Sequence, residues 1–204
     1  KTLIASVHQS NIDLDYYRNV ASVQNEYQNF AKSYGIDIDT VLPRIEIKCG
    51  DFSVLFVMVN SAWMSVLHEN PGNLIIPCHL YEKVSPEKYK IVFYMFHHPL
   101  SWLNPDLKKQ FVKHIRQYAD MILLGHEHER DSYNKMGATF SVYCSHGKEL
   151  QDNKSDDSAF TVINFDSAFQ NYDLIDYKWN GKIYYRHSEE AKNQYHKNIA
   201  AKNN

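Results

Sequence analysis

Histidines close two apolar runs in this chain. Tyr94-Met95-Phe96 ends in His97-His98-Pro99, and Met121-Ile122-Leu123-Leu124 ends in Gly125-His126-Glu127-His128. An apolar run of this length that does not alternate predicts a strand buried on both faces, and such strands are mostly parallel. Side chains at the carboxyl ends of parallel strands point into the crevice where α/β proteins bind ligands. Three or four imidazoles are therefore expected at one edge of one sheet. Neutral imidazole is the commonest transition-metal ligand among side chains, so the pattern predicts a metal site. A lone buried histidine is more often a hydrogen-bonded core residue. Two clusters, each directly after a buried strand, shift that balance. Gly125 fits as well, because a residue without Cβ lets backbone approach a ligand closely.

The elements between and around these clusters must bring them together. Asn104-Pro105 is a helix cap followed by proline at the first helical position. Leu107, Phe111, His114, Ile115 and Tyr118 then share one helical face, and Lys108, Lys109, Lys113 and Arg116 the other. The lysine face is read as solvated surface. The order strand, histidines, helix, strand, histidines is a βαβ unit, whose right-handed crossover leaves the two strands parallel and their histidine ends on one edge. Upstream, Tyr16, Val20, Val23, Tyr27, Phe30 and Tyr34 recur at helical spacing over residues 13–34, with Asp13 or Asp15 as cap and Gly35 as terminator. That aromatic face is expected in the core. Residues 44–48 and 54–59 flank Cys49-Gly50-Asp51 as a hairpin. Residues 75–84 are expected to form a short helix broken by Pro86. Strands are expected over 139–144 and 160–165, with a polar loop over 147–158 between them. Asn180-Gly181 should join strands 174–179 and 182–186 in a hairpin. Residues 1–12 show no period, and 188–204 read as a polar linker or tail.

Composition narrows the function classes. The 204 residues suit one domain, and 44% hydrophobic and 23% charged residues are ordinary globular values. The net charge of −2 gives no electrostatic case for nucleic acid or for a polybasic membrane contact. Cys49, Cys78 and Cys144 are odd in number and form no Cys-x-x-Cys pair, which favours a reducing, cytoplasmic compartment. No run approaches the ~18 apolar residues of a membrane span, and no signal peptide is visible. The opening Lys1 and the polar tail lead to the expectation of flanking domains on both sides. His68, His79, His146, His187 and His196 lie in loops or polar segments and are not expected to be ligands. His114 is expected to be partly buried.

Phe96-His97-His98-Pro99 followed by Gly125-His126-Glu127-His128 resembles the last two motifs of the calcineurin-like metallophosphoesterases. Val59-Asn60-Ser61-Ala62-Trp63 is similar to the segment that precedes them in many members. The resemblance spans roughly residues 15–187. It implies an α/β fold, a four-layer αββα sandwich of which this chain is the C-terminal part, incomplete on its N-terminal side. It implies a dinuclear site for two divalent ions (manganese, iron, nickel or zinc), with His97 and His126 on one ion and His128 on the other. His98 would lie beside the site, facing the substrate phosphate. Two metals ~3.5–4 Å apart clamp a phosphoryl group and generate hydroxide for in-line attack.

The family's earlier motifs, Asp-x-His, Gly-Asp-x-x-Asp and Gly-Asn-His-(Asp/Glu), are not in the chain. Gly50-Asp51-Phe52-Ser53-Val54 has Val at the second Asp position, Gly72-Asn73-Leu74 has Leu at the histidine position, and Val7-His8 lacks the Asp. The bridging carboxylate and general acid would therefore come from upstream of Lys1. Three readings follow. In one, the chain is the histidine half of a metal-dependent hydrolase acting on a phosphomonoester or phosphodiester, with nucleic acid a substrate option that the charge does not support. In another, it belongs to a non-catalytic interaction or regulatory module of a larger multidomain protein. In the third, it folds only with a complementary chain.

Overall fold

The computed structural model describes residues 12–36, 43–81, 88–125, 132–133, 141–144, 159–189 and 193–194. Strands β1 (Arg44–Cys49) and β2 (Phe52–Met58) form the expected antiparallel hairpin, turned by Gly50 at φ +61°. β3 (Ile91–Phe96) runs parallel to β2, and β4 (Met121–Leu124) runs parallel to β3. β5 (Ser132–Tyr133) and β6 (Ser141–Cys144) complete a six-stranded sheet in the order β1-β2-β3-β4-β6-β5. The non-alternating apolar runs are thus the central parallel strands, as their pattern predicts.

Both faces of β3 are covered, which is why nearly every residue in it is apolar. One face carries Val92, Tyr94 and Phe96 against Phe111, Val112 and Ile115 of the crossover helix. The other carries Ile91 and Phe93 against Tyr172 and Leu174 of a second sheet. That sheet consists of β7 (Ala159–Phe165), β8 (Asn171–Trp179), β9 (Tyr184–Glu189) and β10 (Asn193–Gln194), with β8 paired to the other three. The Asn180-Gly181 hairpin forms as predicted. Gly181 takes φ +92°, and the Asn180 side chain accepts the amides of Lys182 and Ile183.

The architecture is α/β, helix on sheet on sheet. Phe160, Val162 and Tyr184 on the outer side of the second sheet are exposed, and among the described residues no helix covers them. The sheet also reaches into the stretch read as linker, since Ser188 and Glu189 belong to β9 and β10 pairs with Asn171 and Tyr172.

The helices follow their caps. Asp13 Oδ1 accepts the Tyr16 amide at 2.7 Å and opens α1 (Leu14–Ala21). The single helix expected here is two. A 3-10 turn (Ser22–Gln24) separates α1 from α2 (Asn25–Ser33), and Gly35 ends the run at φ +77°. The aromatic face is a correction too: α2 buries no residue, and Tyr27, Phe30 and Tyr34 are exposed. The crossover helix α3 (Pro105–Tyr118) is capped by Asn104 Oδ1 on the Asp106 amide. In place of the helix expected over 75–84, the described residues 75–81 hold one 3-10 turn, Cys78–Leu80. Leu74, Ile75 and Ile76 are all buried, which an extended segment achieves and one helix face does not. Residues 82–87, 139–140 and 147–158 lie outside the described residues. Cys49 and Cys78 are free thiols, and burial pushes the Cys78 thiol up to about 11. No helix among the described residues is long and apolar enough to cross a membrane.

Candidate metal centre

Asp120 sets the register on which the site depends. Its amide donates to the Val92 carbonyl at 2.9 Å, and its buried carboxylate accepts the Val92 amide at 2.9 Å. β3 and β4 are thereby aligned at their start and end together, Phe96 opposite Leu124. The next residue on each strand meets across the gap, because the Gly125 amide donates to the His97 carbonyl at 3.1 Å. The absence of a side chain at Gly125 matters here. A Cβ there would lie 3.0 Å from His97 Nδ1 and 3.5 Å from its carbonyl oxygen. Glycine therefore lets the imidazole lie against the end of β4.

The exposed His97 ring borders a cavity of about 430 Å³ at the carboxyl end of β3 and β4. Leu123, Leu124 and Gly125 form one wall, and Thr161 and Ile163 of the second sheet another. Behind that wall the Thr161 hydroxyl donates to the buried Asp176 at 2.7 Å. Strand-end imidazole and inter-sheet crevice coincide, as the topology predicts.

His98 has a different environment. Its side chain turns into the protein and is only 3% exposed. Nε2 donates to Oε2 of Glu69 across 2.9 Å, and Nδ1 lies 2.9 Å from the Ser61 hydroxyl. Its ring is tilted against Trp102 at 5.7 Å and meets His97 edge-on at 4.9 Å. Burial alone would raise the Glu69 carboxyl, but Ser65 and His98 hold it below its ordinary value, so it is a carboxylate at neutral pH.

His126 and His128 lie outside the described residues. The described part of the site therefore holds one of the three predicted ligands, His97, and brings the residue before His126 next to it. Among the described residues no group of three His, Cys, Asp or Glu side chains converges to hold a metal ion. The donors that are described fit a single imidazole ligand and not a complete pair of ions. Among the other described histidines, His79 Nε2 donates to the Ile12 carbonyl at 2.8 Å, and His68 and His187 are exposed.

Sequence reasoning did not find Ser61 and Glu69. Ser61 could have been flagged by the rule that flagged His97, since it follows a buried parallel strand. Glu69 sits in an irregular loop without period, and its approach to His98 depends on long-range bonds. The amides of Gly72 and Leu74 donate to the Trp102 carbonyl at 3.0 and 3.1 Å, which draws the loop against the turn after Pro99.

No protein-family model matches the chain, and no curated protein sequence matches it. Two of the solved structures it resembles are a hypothetical protein from Thermus thermophilus and Chaetomium thermophilum Vps29 complexed with a RaPID-derived cyclic peptide. The first is 12% identical with a TM-score of 0.35 over 74% of this chain, and the second 13% with 0.31 over 76%. The chain covers 62% of the length of each. Identity and superposition at that level decide nothing about chemistry.

Proposed function

We propose that this chain supplies the histidine ligands of a dinuclear centre in a metal-dependent phosphoesterase, which hydrolyses a phosphomonoester or phosphodiester. The observation that supports the reading is the Gly125 to His97 hydrogen bond at the matched ends of two parallel strands. It sets the start of the Gly-His-Glu-His motif beside the His-His-Pro motif, on an accessible cavity between two sheets. In this reading His97 and His126 hold one ion and His128 the other, and Gly125 keeps the His97 ring against the strand end. The ions, manganese, iron, nickel or zinc, would supply a clamped phosphoryl group and a hydroxide nucleophile. The charge of −2 favours a small phosphorylated substrate over a nucleic-acid backbone.

The test is a manganese and zinc titration of the protein by calorimetry, together with hydrolysis of p-nitrophenyl phosphate and its bis-ester. Wild type should bind metal, gain about 2.7 kcal/mol of stability at a hundredfold excess over Kd, and, with the bridging carboxylate and general acid supplied from upstream of Lys1, hydrolyse at least one ester. His97→Ala should abolish hydrolysis. A protein whose melting temperature ignores both metals refutes the centre. One that binds metal and hydrolyses neither ester is the non-catalytic module instead.

A further inference from the structure

We infer that Ser61, His98 and Glu69 form a hydrogen-bonded brace that sets the position of His97, which makes all three positioning residues of the proposed centre. Its purpose rests on the reading above. Its existence rests on geometry alone.

The three residues come from three separate segments: Ser61 from the end of β2, Glu69 from the following loop, and His98 from the end of β3. Ser61 and His98 are 2% and 3% exposed. Buried polar groups cost free energy unless they are mutually satisfied, and a satisfied network fixes one geometry where an apolar contact tolerates several. Here the contacts run through all three residues, while Glu69 Oε1 is buried without a hydrogen-bond partner among the described residues. Glu69 takes Nε2 of His98, Ser61 takes Nδ1, and the His98 amide points at the same Ser61 oxygen at 3.4 Å. Backbone and ring of residue 98 are therefore held together. His97 is the next residue, with its carbonyl fixed by Gly125 and its ring between the His98 ring edge and the space that glycine leaves open. Residue 97 is constrained from both sides, and the brace is one of them.

Carboxylate, imidazole and hydroxyl in series also describe a hydrolase triad. That role does not suit these three, because a serine 2% exposed offers no oxygen to a substrate. A positioning role needs no access, and ligand-orienting hydrogen bonds in metal sites alter affinity by about 10–100-fold when removed.

The experiment uses the protein with isotope-labelled histidine and compares Ser61→Ala, Glu69→Ala and the conservative Glu69→Gln. In the metal-free wild type the Nε2 proton of His98 should exchange slowly with solvent. Glu69→Ala should lose that signal and Glu69→Gln keep it. The ring resonances of His97 should shift and broaden in both alanine variants. They should be restored in Glu69→Gln. Zinc affinity should fall roughly tenfold or more in the alanine variants and stay within about threefold of wild type in Glu69→Gln. Should Glu69→Ala fail to fold, Ser61→Ala, which leaves the glutamate bond in place, decides the matter. His97 signals unchanged in a folded alanine variant overturn the brace and leave the metal reading standing. Shifted His97 signals in a protein that binds no metal uphold the brace and overturn the metal reading.

Discussion

Helices α2 and α3 carry apolar residues at the same spacing and meet opposite fates. α3 buries Leu107, Phe111, Val112 and Ile115 against the central strands. α2 and its C-cap present Tyr27, Phe30 and Tyr34 at the equivalent spacing, and these side chains are 72%, 60% and 72% exposed. What separates them is topology. α3 joins two adjacent parallel strands, so its crossover has no route except across the sheet. α2 leads instead toward the edge hairpin. A groove of about 500 Å³ lies along it, bordered by Tyr27, Ala31, Ile36, Pro43 and Met58. Periodicity shows that a helix has an apolar side, and connectivity determines what that side meets.

The contrast is sharpest at Phe111. Its ring packs edge-on to Phe96 at 5.4 Å, one residue before His97, and it is 1% exposed. Phe111→Ala should cost about 3–5 kcal/mol, because a large side chain is removed from a site that both sheet and helix hold open. Urea denaturation read by circular dichroism measures it. A loss below about 1 kcal/mol would mean that α3 is no better anchored than α2.

A second difference lies in charge. His114 sits on the buried side of α3, near the Tyr118 ring, with Nε2 3.2 Å from the Tyr94 hydroxyl. Burial lowers its pKa from 6.5 to about 4. The folded state thus prefers the neutral ring, while the unfolded chain takes up a proton near 6.5. This contribution is complete above pH 6.5 and is lost progressively as the pH falls toward 4, about 3 kcal/mol between the limits. Stability measured at pH 7.5 and pH 5 should fall more steeply for wild type than for His114→Gln. Equal slopes would place His114 in water.

The same division governs what the sequence could disclose. β3, β4, α3 and their order were legible because each signal was local: two unbroken apolar runs, Asn104-Pro105, and a 3.6-residue period between them. The parallel pairing followed from the connection, and with it the juxtaposition of His97 and Gly125. His98 was legible as a strand-end histidine but not as a buried one, because its partners Ser61 and Glu69 arrive from a loop with no period. The fate of the aromatic stripe on α1 and α2 was illegible for the same physical reason, since it depends on what a neighbouring segment covers. His126 and His128 lie outside the described residues, so the histidine pattern is matched to geometry at its first half only.

The smallest expected effect tests the other side of the comparison. Phe30 is 60% exposed on α2, and its described ring contact is with Tyr34, the C-cap of the same helix, at 5.0 Å. Serine and phenylalanine have similar helix propensities, so Phe30→Ser changes little besides apolar area that water already reaches. The substitution should move stability by no more than about 0.5 kcal/mol in the urea assay used for Phe111. The two aromatic residues would then differ roughly tenfold in cost, although a helical-period reading ranks them alike. A loss of several kcal/mol at Phe30 would mean instead that the stripe is covered in the protein in solution. In that case the sequence pattern would have reported a real interface, and α2, like α3, would be defined by what packs against it.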